Sequence, residues 1–294
     1  MVRFGAAAGR VQLCGLNGAT RFEADVLLSP GESRRARLNG DGLRSAEQLR
    51  HELRTLVFTP DRLAVVKGAP ATRRAYLDRS LGRLFPAKAA LPVEYAAAVG
   101  QRNAALRRIA AGASSRDALD PWTATVVSLG EALVDARAAL VRVLAPRFAA
   151  CAERLGLEAA TVAYEGEPPT VTEYERRLEK DLERGLTGSG PHVHDVRIEA
   201  YGRELRSFGS QGEQRIVVLS LVLAEAEMLA ETTGVTPLVL LDDVLSELDG
   251  ERRRALGVMI LDRGQAVVTA AAAAALPVEP AQSLIVSPGE VRRA

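Results

Sequence analysis

Apolar residues along this chain follow two different periods in turn, and their order outlines the fold. Up to about residue 60 the period is close to two. Phe22, Ala24, Val26 and Leu28 alternate with Glu23, Asp25 and Leu27, which predicts a half-buried strand. The strand-like runs 11–13 and 22–28 flank Asn17-Gly18, so the stretch between them reads as a hairpin turn. Ser29-Pro30-Gly31 ends the second run and Asn39-Gly40 marks another turn. Leu56-Val57-Phe58 is a short apolar strand stopped by Thr59-Pro60.

From there to about residue 185 the spacing becomes helical. Asp120-Pro121 predicts a helix start, with Asp at the N-cap and Pro in the first turn. Trp122, Val126, Leu129, Leu133, Ala136, Leu140 and Val143 follow at alternating steps of four and three, a seam like that of a coiled coil. Pro146 is expected to interrupt it. A charged helix is expected over 172–184, with Tyr174, Leu178 and Leu182 on one face. Then strand and helix alternate. Residues 196–201 and 205–208 are strand candidates around Gly202. Residues 214–232 form a long apolar helix closed by Gly234. Residues 237–241 are a fully apolar strand, 251–261 a helix, and 265–269 and 283–286 further strands. Such alternation predicts a largely parallel sheet. The expected class is α/β: a head with a mixed sheet built from residues 1–87 and 187–294, with a helical lobe inserted over 88–186.

Composition narrows the setting. The chain is 47% hydrophobic and 26% charged, ordinary for a globular protein. Its two cysteines, Cys14 and Cys151, are far apart, which excludes a disulfide framework or a cysteine zinc site and suits a reducing cytoplasm. The longest uncharged stretch, 264–278, contains Pro277 and falls short of a membrane helix, and residues 1–10 lack the apolar region of a signal peptide. The net charge of +1 hides an asymmetry. Residues 1–120 carry 20 Lys/Arg against 11 Asp/Glu, while residues 121–294 carry 18 against 26. A basic first part beside an acidic remainder suits a polyanion such as nucleic acid, or simply two parts that pack together. Arg34, Arg35 and Arg37 form the tightest basic cluster and are candidate DNA-phosphate contacts; a solvated strand edge is the other reading.

Only Lys67, Lys88 and Lys180 are lysines, and none lies in a G-x-x-x-x-G-K-[ST] phosphate loop. The sharpest chemical feature is Leu238-Val239-Leu240-Leu241-Asp242-Asp243. A buried parallel strand delivers two acids at its C-terminal end, where α/β sheets bind ligands. Adjacent strand residues point to opposite sides, so the two divide labour. Asp242 can hold a hydrated Mg²⁺ and Asp243 can orient the attacking water. Upstream, Phe208-Gly209-Ser210-Gln211-Gly212-Glu213-Gln214-Arg215 opens the long helix. A small, hydroxyl-bearing loop at a helix N-terminus is an anion site, and it is equally a capping box of Ser210 and Glu213. Both hold together, since a cap can also touch a phosphate.

The order of G-S-Q-G-E-Q, L-V-L-L-D-D and Ser246-Glu247-Leu248-Asp249 resembles the signature loop, Walker B strand and D-loop of an ABC-type ATPase head, in the spelling of the RecF family. Residues 57–63 resemble that family's F-x-P-x-x-L segment. Lys67-Gly68-Ala69-Pro70 with Arg73-Arg74-Ala75-Tyr76-Leu77-Asp78 resembles K-G-x-P-x-x-R-R-x-[FY]-L-D. Gln101-Arg102-Asn103 with Leu106 is similar to Q-R-N-x-x-L. Gly185, Thr187, Gly190-Pro191-His192 and Asp195 resemble G-x-T-x-x-G-P-H-R-D-D. The departures are Val193 and His194 within that last motif and an alanine run after Thr269, where ABC proteins often carry a switch histidine. His192 and His194 are read as structural, since an H-x-H alone supplies too few ligands for a metal. Residues 1–6 resemble an interior R-F-G stretch, so the family's first strands and phosphate loop are expected ahead of it.

The resemblance implies an ATP-dependent DNA clamp of replication, recombinational repair and the SOS response, dimeric with ATP. It would act at gapped DNA or single-strand/double-strand junctions with RecO and RecR. It implies that Ser210, Gln211, Gly212, Gln214, Ser246 and Asp249 are nucleotide-binding residues, with Ser210 and Gly212 touching the γ-phosphate of the partner's ATP and Asp249 crossing the dimer interface, that Asp242 holds Mg²⁺ and that Asp243 assists water. The chain by itself, lacking the phosphate loop, is expected to bind ATP weakly and hydrolyse little. The alternatives are a non-hydrolysing DNA- or partner-binding module, or another head related to the SMC proteins. The latter is disfavoured by a helical block without a long coiled coil.

Overall fold

The computed structural model describes residues 2–17, 19–44, 48–49, 52–246, 248–261, 263–272, 276 and 278–294. Gly18 of the expected hairpin turn, Glu247 beside Ser246 and 273–275 of the alanine run lie outside the described residues. Four strands open the chain: β1 (Gly9–Asn17), β2 (Thr20–Leu28), β3 (Arg35–Leu38) and β4 (Asp41–Leu43), antiparallel and paired in that order. Asn17 faces Thr20 across the first turn. In the second, Asn39 adopts φ 52°, the left-handed region that Asn tolerates, and its side chain accepts the Glu23 amide at 2.9 Å.

β5 (Thr55–Phe58) leaves that sheet. A 3-10 turn at Pro60–Leu63 and α1 (Ala64–Lys67) lead into α2 (Pro70–Leu84), α3 (Leu91–Ala110) and α4 (Asp120–Arg154). Then come β6 (Thr161–Glu165), α5 (Val171–Arg184), β7 (Asp195–Ala200), β8 (Arg203–Glu204) and a helical turn, α6 (Leu205–Phe208). The remainder is α7 (Gln211–Thr233), β9 (Leu238–Leu241), α8 (Gly250–Leu261), β10 (Ala266–Val268), β11 (Leu284–Ser287) and β12 (Glu290–Arg293). β9 is the middle strand of a parallel sheet of order β10-β9-β5, with Leu241 level with Phe58 and Val268. The fold is therefore mixed α/β. Its parallel and antiparallel pairings occupy separate sheets, and β5 is the element through which the first 60 residues enter the β9 sheet.

Several local expectations are corrected. α4 is continuous over 35 residues, so Pro146 does not interrupt it, and the residue at its N-cap is Leu119 rather than Asp120. Proline removes one N–H from the ladder. Burial of Leu144, Phe148, Cys151 and Ala152 holds the turns on both sides, and Arg147 donates to the Val143 carbonyl at 2.9 Å. Residues 205–208 are helical, not a strand. β6 lies inside the block expected to be helical and pairs with β7. β3 lies between β2 and β4, so its arginines are not on a sheet edge.

α7 is largely apolar from Ile216 to Leu229 and is buried accordingly, packed against α4 and β5. Its one deeply buried acid, Glu225, accepts from Ser80 at 3.1 Å and pairs with Arg83. Other buried arginines clasp the helices to the α5–β7 segment. Arg73 forks onto Asp195 with two bonds of 2.7 Å. Arg137 forks onto Asp78 at 2.8 Å and donates to the Pro191 carbonyl at 2.7 Å. Arg102 reaches Asp181 and Thr187, both at 2.9 Å. Removing one member of such a pair strands a buried charge, at a cost of about 3–5 kcal/mol. Among the described residues no helix is long and apolar enough to cross a membrane.

Candidate functional site

The site is built at the C-terminal end of β9. Val239 and Leu241 are buried, and both neighbours run parallel, so the strand's end is fixed on two sides. The Asp242 amide extends the ladder onto the Phe58 carbonyl at 3.0 Å. The Asp242 side chain is exposed, and one of its oxygens accepts the Thr269 hydroxyl at 2.6 Å. Thr269 Oγ1 in turn accepts the Asp243 amide at 3.0 Å. Asp243 stands at φ 47°, in the left-handed region that favours glycine, and strain of that kind persists where its surroundings hold it. Ser246 does so from below: its hydroxyl lies 3.2 Å from both the Asp243 carbonyl and Oδ2. Val244, Leu245 and Leu248 are buried and anchor the loop. Asp249 accepts the Arg252 amide at 2.9 Å, which lowers its carboxyl below the usual range.

The second half of the site is the N-terminus of α7. Ser210 and Glu213 form the capping box: Ser210 Oγ accepts the Glu213 amide at 3.2 Å, and Glu213 accepts the Ser210 amide at 2.7 Å. The amides of Gln211 and Gly212 belong to the first turn, where the helix itself offers no acceptor. A side chain built at Gly212 would meet nothing nearer than 3.8 Å, so the chain's own packing does not require glycine there. At Gly209 it would lie 2.6 Å from the Leu205 carbonyl, so glycine is needed. Gln214 points inward. It is 4% exposed and its amide donates to the Leu205 and Gly209 carbonyls, both at 3.0 Å.

Two residues of the node, Thr269 and Arg215, are not singled out by the sequence pattern. Thr269 reads there as a strand end, although a hydroxyl at the C-terminal end of a parallel neighbour is placed to touch an acid at the end of β9. Arg215 reads there as the tail of a motif. It is 6% exposed and donates to the Asp243 carbonyl at 2.7 Å and to Ser246 Oγ at 3.3 Å. It thereby joins the two halves of the site.

Arg34, Arg35 and Arg37 are exposed on and before β3, apart from this node; Arg35 pairs with Glu32 at 3.3 Å, and Arg37 faces Asp25. The histidines take separate partners. His192 lies 2.8 Å from the Tyr95 hydroxyl and 2.9 Å from the Thr187 carbonyl, and His194 lies 2.9 Å from the Tyr164 hydroxyl. Among the described residues no group of three or more His, Cys, Asp or Glu could hold a metal ion.

No family model matches the chain. The DNA replication and repair protein RecF of Acidothermus cellulolyticus is 37% identical over 275 residues, covering 87% of this chain and 74% of that protein. This chain belongs to the RecF family. RecF of Myxococcus xanthus agrees, at 36% identity over 287 residues, 91% of this chain and 74% of the relative. In three dimensions, the recombination mediator protein RecF-ATP of the RecFOR pathway has a TM-score of 0.83 at 23% identity, covering 100% of this chain and 82% of that one. A second RecF structure of that pathway, RecF-ATPrS, has a TM-score of 0.82 at 23% identity, with 99% and 82% covered. An Smc head bound to the C-terminal winged-helix domain of ScpA shares the fold more loosely, with a TM-score of 0.55 at 12% identity over 98% of this chain and 74% of that one.

Proposed function

We propose that residues 1–294 supply the signature-loop and Walker B sides of an ATP-dependent, DNA-binding RecF head. In this reading residues 1–87 and 187–294 make up the head and 88–186 its helical lobe. The observation that carries it is the node at the end of β9. An exposed Asp242 carboxylate is oriented by Thr269, and next to it a strained Asp243 is held by Ser246 and Arg215. Magnesium prefers oxygen ligands, usually one or two carboxylates besides phosphate and water, and Asp242 fits that need. Magnesium ATP, when bound, supplies the phosphoanhydride whose hydrolysis drives the cycle. The remaining roles belong to this chain. Asp243 holds and orients a water molecule. The Ser210 hydroxyl and the first-turn amides of Gln211 and Gly212 present donors to a phosphate of the partner's nucleotide. Gln214 shapes that loop from inside. Asp249 and Ser246 face the second subunit.

The chain lacks the lysine and the row of glycine-loop amides that cradle phosphates, and its Walker B acids cannot replace them, being anions themselves. Two copies would present two signature loops and no phosphate loop. Residues 1–294 alone therefore bind ATP weakly and turn it over little. DNA at gaps or junctions, RecO and RecR are the partners this reading assigns, with the exposed arginines of β3 as candidate phosphate contacts whose binding weakens with salt. The test is ATP turnover by the chain alone and by the same chain with a RecF phosphate-loop segment joined ahead of residue 1. Turnover is expected only from the fusion, and Asp243→Asn abolishes it. Robust turnover by the chain alone, lost in Asp243→Asn, would place the phosphate site elsewhere.

A further inference from the structure

The first turn of α7 makes contacts in three directions. Ser210 caps it toward solvent, where the signature loop meets its ligand. Gln214 reaches back to the Leu205 and Gly209 carbonyls, fixing the chain that enters the loop. Arg215 reaches sideways to the Asp243 carbonyl at 2.7 Å and Ser246 Oγ at 3.3 Å. A buried guanidinium is a costly link, since each N–H left without an acceptor loses its hydration. A hydrophobic residue would seal the same contact between helix and loop at lower cost. What arginine adds is a rigid, directional connection between a helix turn and one backbone carbonyl.

That carbonyl belongs to the strained residue. Rotating Asp243 out of φ 47° moves its carbonyl and its carboxylate together, so whatever holds the carbonyl sets the carboxylate. From Asp243 the contacts continue without a gap. Its amide donates to Thr269 Oγ1, and Thr269 donates to Asp242. Ser246, bound to both Arg215 and Asp243, carries the connection into the 246–249 loop. One arginine thus joins the loop that faces a partner's nucleotide to the acids that face this chain's own.

We propose that Arg215 is a positioning residue that couples the two nucleotide sites through a single chain: displacement of the signature loop at the α7 N-terminus is transmitted by the Arg215 guanidinium to Asp243 and Ser246. The coupling is reciprocal, so setting Asp243 also biases the signature loop. The inference rests on reading these segments as sides of two nucleotide sites. Its test uses no nucleotide, so coupling found in a chain whose fusion never hydrolyses ATP would fault that reading and leave the coupling standing.

The measurement is amide hydrogen exchange on the 294-residue chain, followed over 209–216 and 241–246 in the parent, Ser210→Ala, Arg215→Ala and the double variant. Removing the cap loosens the first turn of α7. Ser210→Ala is expected to speed exchange about threefold or more in both segments, although no hydrogen bond joins Ser210 to 241–246. With Arg215→Ala already present, adding Ser210→Ala should speed exchange in 209–216 alone. A Ser210→Ala effect confined to 209–216 in the parent would overturn the proposal. So would an equal effect on 241–246 with and without Arg215, because independent sites add. Arg215→Met, which keeps the length and apolar stem but no donor, serves for the same comparison if Arg215→Ala does not fold.

Discussion

Thr269 holds Asp242 by one bond and Asp243 by another: its hydroxyl donates to the Asp242 carboxylate at 2.6 Å while accepting the Asp243 amide at 3.0 Å. The two acids are consecutive, and this one hydroxyl, on the residue that follows β10, ties both of them to the neighbouring strand. Thr269→Val keeps the β-branched shape and removes only the hydroxyl. The expected loss is about 1 kcal/mol in urea unfolding, with Thr269→Ser close to the parent. Equal stability of Val and Ser variants would show that the bond contributes nothing.

The Arg73–Asp195 clasp predicts an acid-sensitive fold. Burial alone pushes the Asp195 carboxyl up, but Arg73 and the Val196 amide outweigh it, and the net shift is downward. A lowered acid stabilises the fold above its unfolded value of about 3.9 and loses that contribution as pH falls through the folded value. Asp195→Asn should lower stability at pH 7 and flatten the acid limb below about pH 4. An acid limb of unchanged steepness in this variant would assign the sensitivity to other carboxylates.

The histidines add a second limb at milder pH. Burial is the largest influence on both and holds His192 and His194 below the ordinary histidine range, with the Arg74 and Arg137 charges acting the same way. A base depressed in the folded state costs nothing while neutral. Stability therefore falls as pH drops below the unfolded value of about 6.5, where only the unfolded chain takes up the proton readily. His192→Gln should reduce the loss between about pH 7 and pH 5.5. Thermal melts across that range decide it, and an unaltered slope would show that His192 does not contribute to this limb.

Much of the fold could be read in the sequence because the decisive runs are locally unambiguous. The alternation of 22–28, the apolar run ending in Asp242 and the Ser210/Glu213 pair each point to one local structure, and each is found. Pro146 and residues 205–208 could not be read locally, because tertiary burial decides them. The apolar faces of Leu144 and Phe148 carry α4 across the proline, and Leu205 is drawn into the core as a helical turn. The site followed the same division. Its acids and cap stand in motifs, whereas Arg215 and Thr269 act across 28 and 26 residues of sequence. The motifs at 73–78, 101–103 and 185–195 contribute most of their charged residues to buried clasps rather than to the site.

Pro146 itself makes a prediction. Pro146→Ala restores an N–H for the Arg142 carbonyl within an intact helix, so the variant should gain about 1 kcal/mol or more in urea unfolding. A loss would mean that the proline's ring packing, not the neighbouring burial, sustains α4.

The central claim is that this chain supplies complementary sides of composite nucleotide sites, and mixing two inactive variants tests it most directly. In the phosphate-loop fusion, Gly212→Asp sets a charge against the partner's phosphate while remaining compatible with the first turn of α7. Asp243→Asn removes the acid proposed to orient the water. Each variant alone should be inactive. Mixed in equal amounts, they should recover roughly a quarter of the parent's ATP turnover, because half the dimers are mixed and each of those assembles one intact site. No recovery, in a mixture shown by cross-linking to contain mixed dimers, would contradict the claim that Gly212 and Asp243 of different subunits meet in one site.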